Sequence, residues 1–353
     1  MLAPAAGARP ATNRVATALV IRGHGFGHGI GLSQWGAEKR AEAGQSYRQI
    51  LSFYYPGTTL GRAAPHTVRV LVAEGARLPI GSSAPFTVRD AHGRVVRFAA
   101  GRYVAGADGR LGAAHLAFPV AVRARAGKVR VGSADYHGTL TLWRGAGATV
   151  RAVNSVQLED YVRDVVSAEC PGYWRQDALR AQAIAARTYA LANLHPGRTF
   201  DLYPDDRSQN YRGADKEFAS ARMAAGATAG KVVLYRGRLI DAMFSASNGG
   251  LTSAGAPAWG GAVPYLVTRP DPFDARSPDL NWGPVRIPVA ALHAAFPQLP
   301  ASVSGVRVVA DASSRVESLI FTGAQGASAR INGTLFQQRL GLRSTFLTVT
   351  PVV

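Results

Sequence analysis

Cysteine is almost absent from this 353-residue chain, where Cys170 stands alone. One thiol closes no intramolecular disulfide and completes no cysteine-rich zinc site, so neither device is expected to hold the fold. No apolar run approaches the ~20 residues that cross a bilayer. The segment Met1 to Val20 lacks a basic head followed by a long apolar core, so no intact signal peptide is read there. Residues 1–14 read instead as a flexible Ala/Pro tail. Acidic side chains are scarce as well: 22 Asp and Glu face 40 Lys and Arg, a net charge of +18. Such an excess attracts polyanions, and nucleic acid, anionic membrane and anionic wall polymer all answer to it. Paired Cys-x-x-Cys motifs and aromatic-basic runs are missing, so no nucleic-acid partner is expected. What is abundant is apolar: 47% of the residues are hydrophobic, enough for one large folded domain or two ordinary ones.

Hydrophobic periodicity divides the chain. Residues 15–60 open with a strand, Val15 to Ile21, followed by five glycines at every second position from Gly23 to Gly31. That density predicts backbone at positive φ or closely approached by other groups. A helix is expected from Gln34 to Gly44. Ser46 and Gln49 form a capping box for the next helix, whose apolar face is Tyr47, Ile50, Leu51 and Tyr54. Residues 66–154 read as β-rich, with short alternating segments separated by turn residues. Residues 155–353 mix helices and strands: an apolar stripe over Leu158, Tyr161, Val162, Val165 and Val166, a break at Cys170-Pro171-Gly172, and an Ala-rich helix from about Gln176 to Leu194. Helix 215–228, a hairpin around Arg236-Gly237, a turn at Asn332-Gly333 and a last strand, Thr345 to Val349, follow. The fold class is α+β, with mixed sheets and a central Ala-rich helix.

Several groups are placed for chemistry. Glu169 follows an apolar run, which predicts partial desolvation, the condition under which a carboxyl group serves as a general acid near neutral pH. Arg180 and Arg187 share one face of the Ala-rich helix, with Tyr189 near its end. Gln209-Asn-Tyr211 lies in a polar loop. Ser245, Ser247, Asn248, Gly249, Gly250 and Thr252 bring short polar side chains and bare backbone together, as sugar recognition requires. His24 and His28 have no carboxylate nearby in sequence and sit among glycines, so no metal is expected. His28, Ser33 and Gln34 are expected to donate and accept hydrogen bonds at a cleft wall. The loop lacks the Gly-Lys-Ser/Thr ending of a phosphate-binding P-loop, and no cofactor is expected.

Taken together these motifs resemble the SpoIID/LytB family of peptidoglycan-acting proteins. The resemblance rests on Gly25-Phe-Gly-His-Gly-Ile-Gly-Leu-Ser-Gln-Trp-Gly-Ala37, on Val166-Ser-Ala-Glu169-Cys-Pro171 with Ala178 to Ala190, on Gln209-Asn-Tyr-Arg-Gly213, on Ser247-Asn-Gly-Gly-Leu-Thr252 with Trp259, and on Arg339-Leu-Gly-Leu-Arg-Ser344. It implies a lytic transglycosylase that cleaves peptidoglycan glycan strands, preferring strands stripped of stem peptides, in the cell wall or outside the cell. Glu169 is then the catalytic acid, and Arg180, Arg187, Tyr189, Gln209, Tyr211 and the polar groups above contact substrate. A non-catalytic activator of a wall amidase, and a hydrolase of another polysaccharide, are the alternatives. The chain departs from the family at Ala168, Cys170 and Arg180, where the family carries Ser, Met and Lys. Its stretch Asp201 to Ser208 lacks the Cys and His that bind zinc in some members. The Gly-His-Gly segment closes the domain in typical members and opens it here, which implies a circular permutation with the last strand beside the first.

Overall fold

The computed structural model describes residues 15–254 and 261–353; the tail expected over residues 1–14 and the motif residue Trp259 lie outside them. The fold is α+β, and the chain divides into two compact units, Met1–Lys39 with Ser245–Val353, and Arg40–Phe244. The opening motif is therefore grouped with the end of the chain, across a boundary different from the one expected at residue 60. No described helix is long and apolar enough to cross a membrane.

Within Arg40–Phe244, twelve strands between Thr67 and Gln157 build two six-stranded sheets. One runs in the order Thr67–Gly75, Val150–Gln157, Thr139–Arg144, Val120–Ala124, Phe86–Arg89, Val95–Phe98. Its strands alternate: Phe86, Val88, Val120 and Val122 are buried while Thr87, Arg89 and Arg123 are exposed, the period of two that a half-buried sheet demands. The helices follow. The capping box forms at Ser46, whose hydroxyl accepts from the Gln49 amide while Ser46 N–H donates to the Gln49 side chain at 2.8 Å. Helix Leu158–Glu169 stops because Cys170, the residue before Pro171, is extended (φ −122°, ψ 145°), the conformation a following proline imposes. Helix Gln176–Ala192 packs against Leu158–Glu169, Ala219–Ala227, Tyr47–Tyr54 and strand Lys231–Tyr235. Its alanines are the reason: Ala181, Ala183, Ala185 and Ala186 are all fully buried, and such small side chains let four neighbours approach one axis. The helix expected over 215–228 is split into a short 3₁₀ turn, Ala214–Lys216, and helix Ala219–Ala227.

In the other unit, strand Ala18–His24 lies between Asn281–Pro288 and Leu347–Val352, both antiparallel to it. Ile21 stands opposite Val285 on one side and Val349 on the other. The last strand thus pairs with the first; the first begins and ends three residues later than the sequence suggested, and the last begins two and ends three residues later. A second sheet, Gly305–Ala310, Val316–Thr322 and Ser328–Asn332, shares the core through Leu19, Ile21, Leu292, Phe296, Leu319, Phe321 and Phe336. Asn332-Gly333 is not a turn but a helix start. Asn332 is the N-cap of Gly333–Arg339, and its side chain accepts from the Leu335 amide at 3.1 Å. Asparagine serves both purposes because its short amide can close onto a nearby backbone N–H in either setting.

Candidate active site

Glu169 is the last residue of its helix and is half-buried. Its Oε1 accepts the Asn210 backbone N–H at 2.8 Å. That amide is positioned by the residues on either side of it. Gln209, 1% exposed, accepts from the Tyr161 hydroxyl at 2.9 Å and reaches the Ala186 carbonyl at 3.4 Å. Tyr211, also 1% exposed, donates to Asn154 Oδ1 at 2.7 Å, and Asn154 in turn donates to the carbonyl of His137 at 2.8 Å. The rings of Tyr136 and Tyr161 each pack on that of Tyr211. Burial raises the Tyr161 hydroxyl pKa well above its ordinary value, with Tyr189 and the Glu169 charge adding to the effect. Tyr161 therefore stays a neutral donor. Gln209 and Tyr211 were expected to touch sugar; the structure places both inside the unit, where they pin the loop that holds Glu169.

The two arginines of the Ala-rich helix have different surroundings. Arg187 is fully buried. Its Nε and Nη2 form a fork with the Glu159 carboxylate at 2.9 and 2.6 Å, and its remaining donors reach the carbonyls of Ala183, Lys231 and Ala225. Every direction of the guanidinium is committed internally, so the expected contact with substrate has no open donor to use. Arg180 is half-buried, pairs with Asp177 at 3.6 Å, and keeps a buried Nε without a partner. Tyr189 is half-buried, and burial raises its pKa, with Asp241 adding to it.

The helix that carries Glu169 also carries Asp164, one half of an acid pair that the sequence did not reveal. Asp164 is fully buried, and neither of its oxygens meets a hydrogen-bond donor. Beside it stand Glu217 and His137, the three contributing ligand-type atoms within 4.8 Å of one another. Arg163 already fills that centre with positive charge: its Nε lies 3.0 Å from Glu217 and its Nη2 3.0 Å from His137 Nε2. Two adjacent carboxyl groups with no donor between them hold a proton in common. Burial and the Glu217 neighbour push Asp164 up to about 8. Against the effect of burial, His137, Asp164, Arg163 and Arg222 hold Glu217 down to about 2. Between the ordinary carboxylate range and about 8, the folded state keeps a proton that the unfolded chain has released. Stability should accordingly fall as pH rises through that window, by up to ~1.4 kcal/mol per pH unit. Glu217 acts in the opposite sense, its contribution being lost as pH drops from the ordinary range toward about 2. Asp164→Asn, which keeps the shape and supplies a donor, should flatten that fall. Urea midpoints measured at pH values from ~4 to ~9 read this directly, and parallel curves for the two proteins would disprove the shared proton.

The remaining expected site residues lie in the other unit, and most are internal. Ser33 donates to Asp274 Oδ1 at 2.5 Å, Ser247 to Oδ2 at 2.8 Å, and the Gly250 amide to the same oxygen at 3.0 Å. Burial nevertheless raises the Asp274 pKa. Asn248 donates to Asp271 at 2.9 Å, and Thr252 to the Val267 carbonyl at 2.6 Å. Ser245 accepts the Gly29 amide at 3.1 Å, and His28 Nδ1 accepts the Ile30 amide at 3.0 Å. Gln34 and Gly249 are buried; His28 and Gly250 are half-exposed. These polar groups are thus organised by two buried carboxylates, Asp271 and Asp274, and by the buried Arg315, which donates to the Asn248 carbonyl at 2.8 Å. The Gly-rich loop wraps that arginine. Gly29 has φ +70°, and a Cβ there would collide with the Arg315 guanidinium. Gly29→Ala should cost roughly 1–3 kcal/mol, from left-handed backbone and displaced guanidinium together, read as a lower denaturation midpoint; an unchanged midpoint would contradict this packing.

Residues 146–235 match the family model for SpoIID, stage II sporulation protein. An uncharacterized protein of Brachyspira hyodysenteriae (strain ATCC 49526 / WA1) is 36% identical over 135 residues, 37% of this chain and 36% of the relative. The amidase enhancer of Bacillus subtilis (strain 168) is 36% identical over 121 residues, 34% of this chain and 16% of the relative. Stage II sporulation protein D of Bacillus amyloliquefaciens is 29% identical over 218 residues, 55% of this chain and 60% of the relative. The chain spans from 16% to 60% of the lengths of these three relatives. The family match takes in Glu169, the Ala-rich helix and the Gln209–Gly213 loop, and with these relatives it supports the SpoIID family for the chain.

Proposed function

We propose that the chain has a cell-wall role and that it cleaves peptidoglycan glycan strands as a lytic transglycosylase. The observation that carries this reading is Glu169: a half-buried carboxyl group at a helix end, fixed by the Asn210 amide at 2.8 Å, inside the segment matched to the SpoIID family. Glycosidases that admit water usually need two carboxyl groups. A lytic transglycosylase needs one, because the substrate supplies the nucleophile. Glu169 protonates the glycosidic oxygen as the bond to C1 breaks. It then takes the proton of the muramyl 6-hydroxyl as that oxygen closes on C1, leaving a 1,6-anhydro end. Arg180, with spare donor capacity, suits the lactyl carboxylate of muramic acid. The buried Gln209, Tyr211, Ser33, Ser247 and Asn248 act by ordering loops, and sugar contacts beside Glu169 fall to half-exposed groups of the same unit such as Asn210 and Tyr189. The order of segments, with Leu347–Val352 paired to Ala18–His24, fits a permuted member of the family.

The similarity to a protein named amidase enhancer supports a second reading, in which the chain binds glycan and activates a wall amidase without cutting. Digestion of intact and peptide-stripped glycan, with product ends identified by mass, separates the readings. Anhydro ends support the transglycosylase. Reducing ends point to hydrolysis. No new ends, together with faster release of stem peptides when an amidase is added, points to the activator.

A further inference from the structure

In the unit Arg40–Phe244 most arginines near a carboxylate pair with it: Arg69 with Asp201, Arg130 with Asp135, Arg151 with Glu74 and Arg163 with Glu217. Arg89, Arg97, Arg123 and Arg125 do not. All four are exposed, and among the described residues none makes an ion pair or a side-chain hydrogen bond. They belong to neighbouring strands and loop ends of one sheet. In the register of that sheet Thr87 stands opposite Arg97 on one side and Arg123 on the other, and Arg89 stands beside Ala121. Residues directly opposite share a face, and so do residues two apart on a strand. Arg89, Arg97 and Arg123 therefore point the same way around Thr87, while Phe86, Val88 and Phe98 fill the opposite, buried face.

Spacings follow from sheet geometry. Opposed residues lie ~5 Å apart and alternate residues on a strand ~7 Å apart, so the charges recur every ~7–10 Å across the face. Two adjoining shallow grooves meet along Thr87 and Arg123, and no carboxylate lines either. Like charges held this close repel, and the cost is relieved when a polyanion lies across them. Arginine forks match phosphate oxygens better than lysine does. A base-stacking platform is missing, since Phe86 and Phe98 stack on each other within the buried face, with ring centroids 5.1 Å apart. That disfavours nucleic acid. Only one large apolar side chain there, Val95, is prominently exposed, too little for membrane insertion.

We infer that this arginine face binds a phosphodiester-linked anionic polymer of the cell wall, holding the chain on the wall through a surface separate from the Glu169 region. The inference rests on the wall role proposed above. The test is co-sedimentation of the full chain with purified Gram-positive walls that retain their phosphodiester polymer, and with the same walls after hydrofluoric acid has removed it. Stripping should weaken wild-type binding by ~10-fold or more, and added salt should weaken binding to intact walls steeply. A variant carrying Arg89→Gln, Arg97→Gln, Arg123→Gln and Arg125→Gln should bind intact walls only as wild type binds stripped ones. If that variant does not fold, the two double variants, Arg89→Gln with Arg97→Gln and Arg123→Gln with Arg125→Gln, should each show part of the loss. Equal wild-type binding to both wall preparations, or full binding by the variants, would overturn the inference. So would tighter binding to duplex DNA or to phosphatidylglycerol vesicles at the same ionic strength. On stripped walls the quadruple variant should generate anhydro ends at the wild-type rate, and Glu169→Gln should keep its polymer binding. Polymer binding without any new glycan ends would defeat the enzymatic reading and leave this one standing.

Discussion

Glu169→Gln should leave the protein folded and lower glycan cleavage by ~10²–10⁴-fold, the usual worth of a positioned general acid. Glutamine keeps a carbonyl oxygen at the position of Oε1, so the Asn210 amide retains its acceptor, and the helix still ends where Cys170 becomes extended. What is lost is the ability to give and regain a proton. Anhydro ends counted by mass spectrometry measure the effect, and a circular dichroism spectrum and denaturation midpoint matching wild type exclude unfolding as the cause. Cleavage at the wild-type rate would move the acid to another residue. Loss of the fold would make Glu169 a structural group.

Arg187→Ala should be among the most destabilising single changes in the unit Arg40–Phe244. The side chain is fully buried and bonded to Glu159 and to three carbonyls. Removal opens a cavity at a fully buried position and takes the fork away from Glu159, a loss of roughly 2–5 kcal/mol, even though Ala225 keeps its Thr228 donors and the partly exposed Glu159 keeps the Gly230 amide. Arg187→Lys keeps the charge but not the planar fork, so it should lose less than alanine and more than a surface change. Urea denaturation reads both. If Arg187→Ala unfolds at the wild-type midpoint while glycan binding drops, the arginine is a ligand contact after all, as its position in the family motif first suggested.

These two residues show where reading the sequence succeeds and where it stops. Local signals were legible. The capping box at Ser46, the helix end before Pro171, the Ala-rich helix and the alternation of Phe86 to Arg89 all depend on neighbours within a few residues, and all appear. Partnerships over long separations were not legible. Arg180 and Arg187 are seven residues apart on one helix, yet one is half-buried with an unpartnered nitrogen and the other is saturated inside the core. The difference is Glu159, 28 residues upstream. Ser33 and Ser247 looked like cleft residues because short polar side chains near glycine suit a ligand. Their partner, Asp274, is 241 residues beyond Ser33, a separation that no local pattern spans. The pair of Asp164 and Glu217 was hidden in the same way, since one lies on helix Leu158–Glu169 and the other just before helix Ala219–Ala227. Asn332-Gly333 failed for a different reason: one dipeptide serves two kinds of chain reversal, and only the segment that follows decides between them.

The pairing of the first described strand with the last has a consequence for synthesis. Thr17 and Val352 are joined by a hydrogen bond across 335 positions, and translation adds ~5–20 residues per second. Strand Ala18–His24 therefore leaves the ribosome tens of seconds before Leu347–Val352 can meet it, and Asn281–Pro288 arrives not much sooner. The segment Arg40–Phe244 is continuous, and the strands of its two six-stranded sheets find their partners within it as it emerges. It can fold while the opening strand is still an unpaired edge in the company of other nascent chains. Completion of the unit that holds the Gly-rich loop is the late event in the life of each molecule, and it is there, before the last strand docks, that mispairing and aggregation find their opportunity.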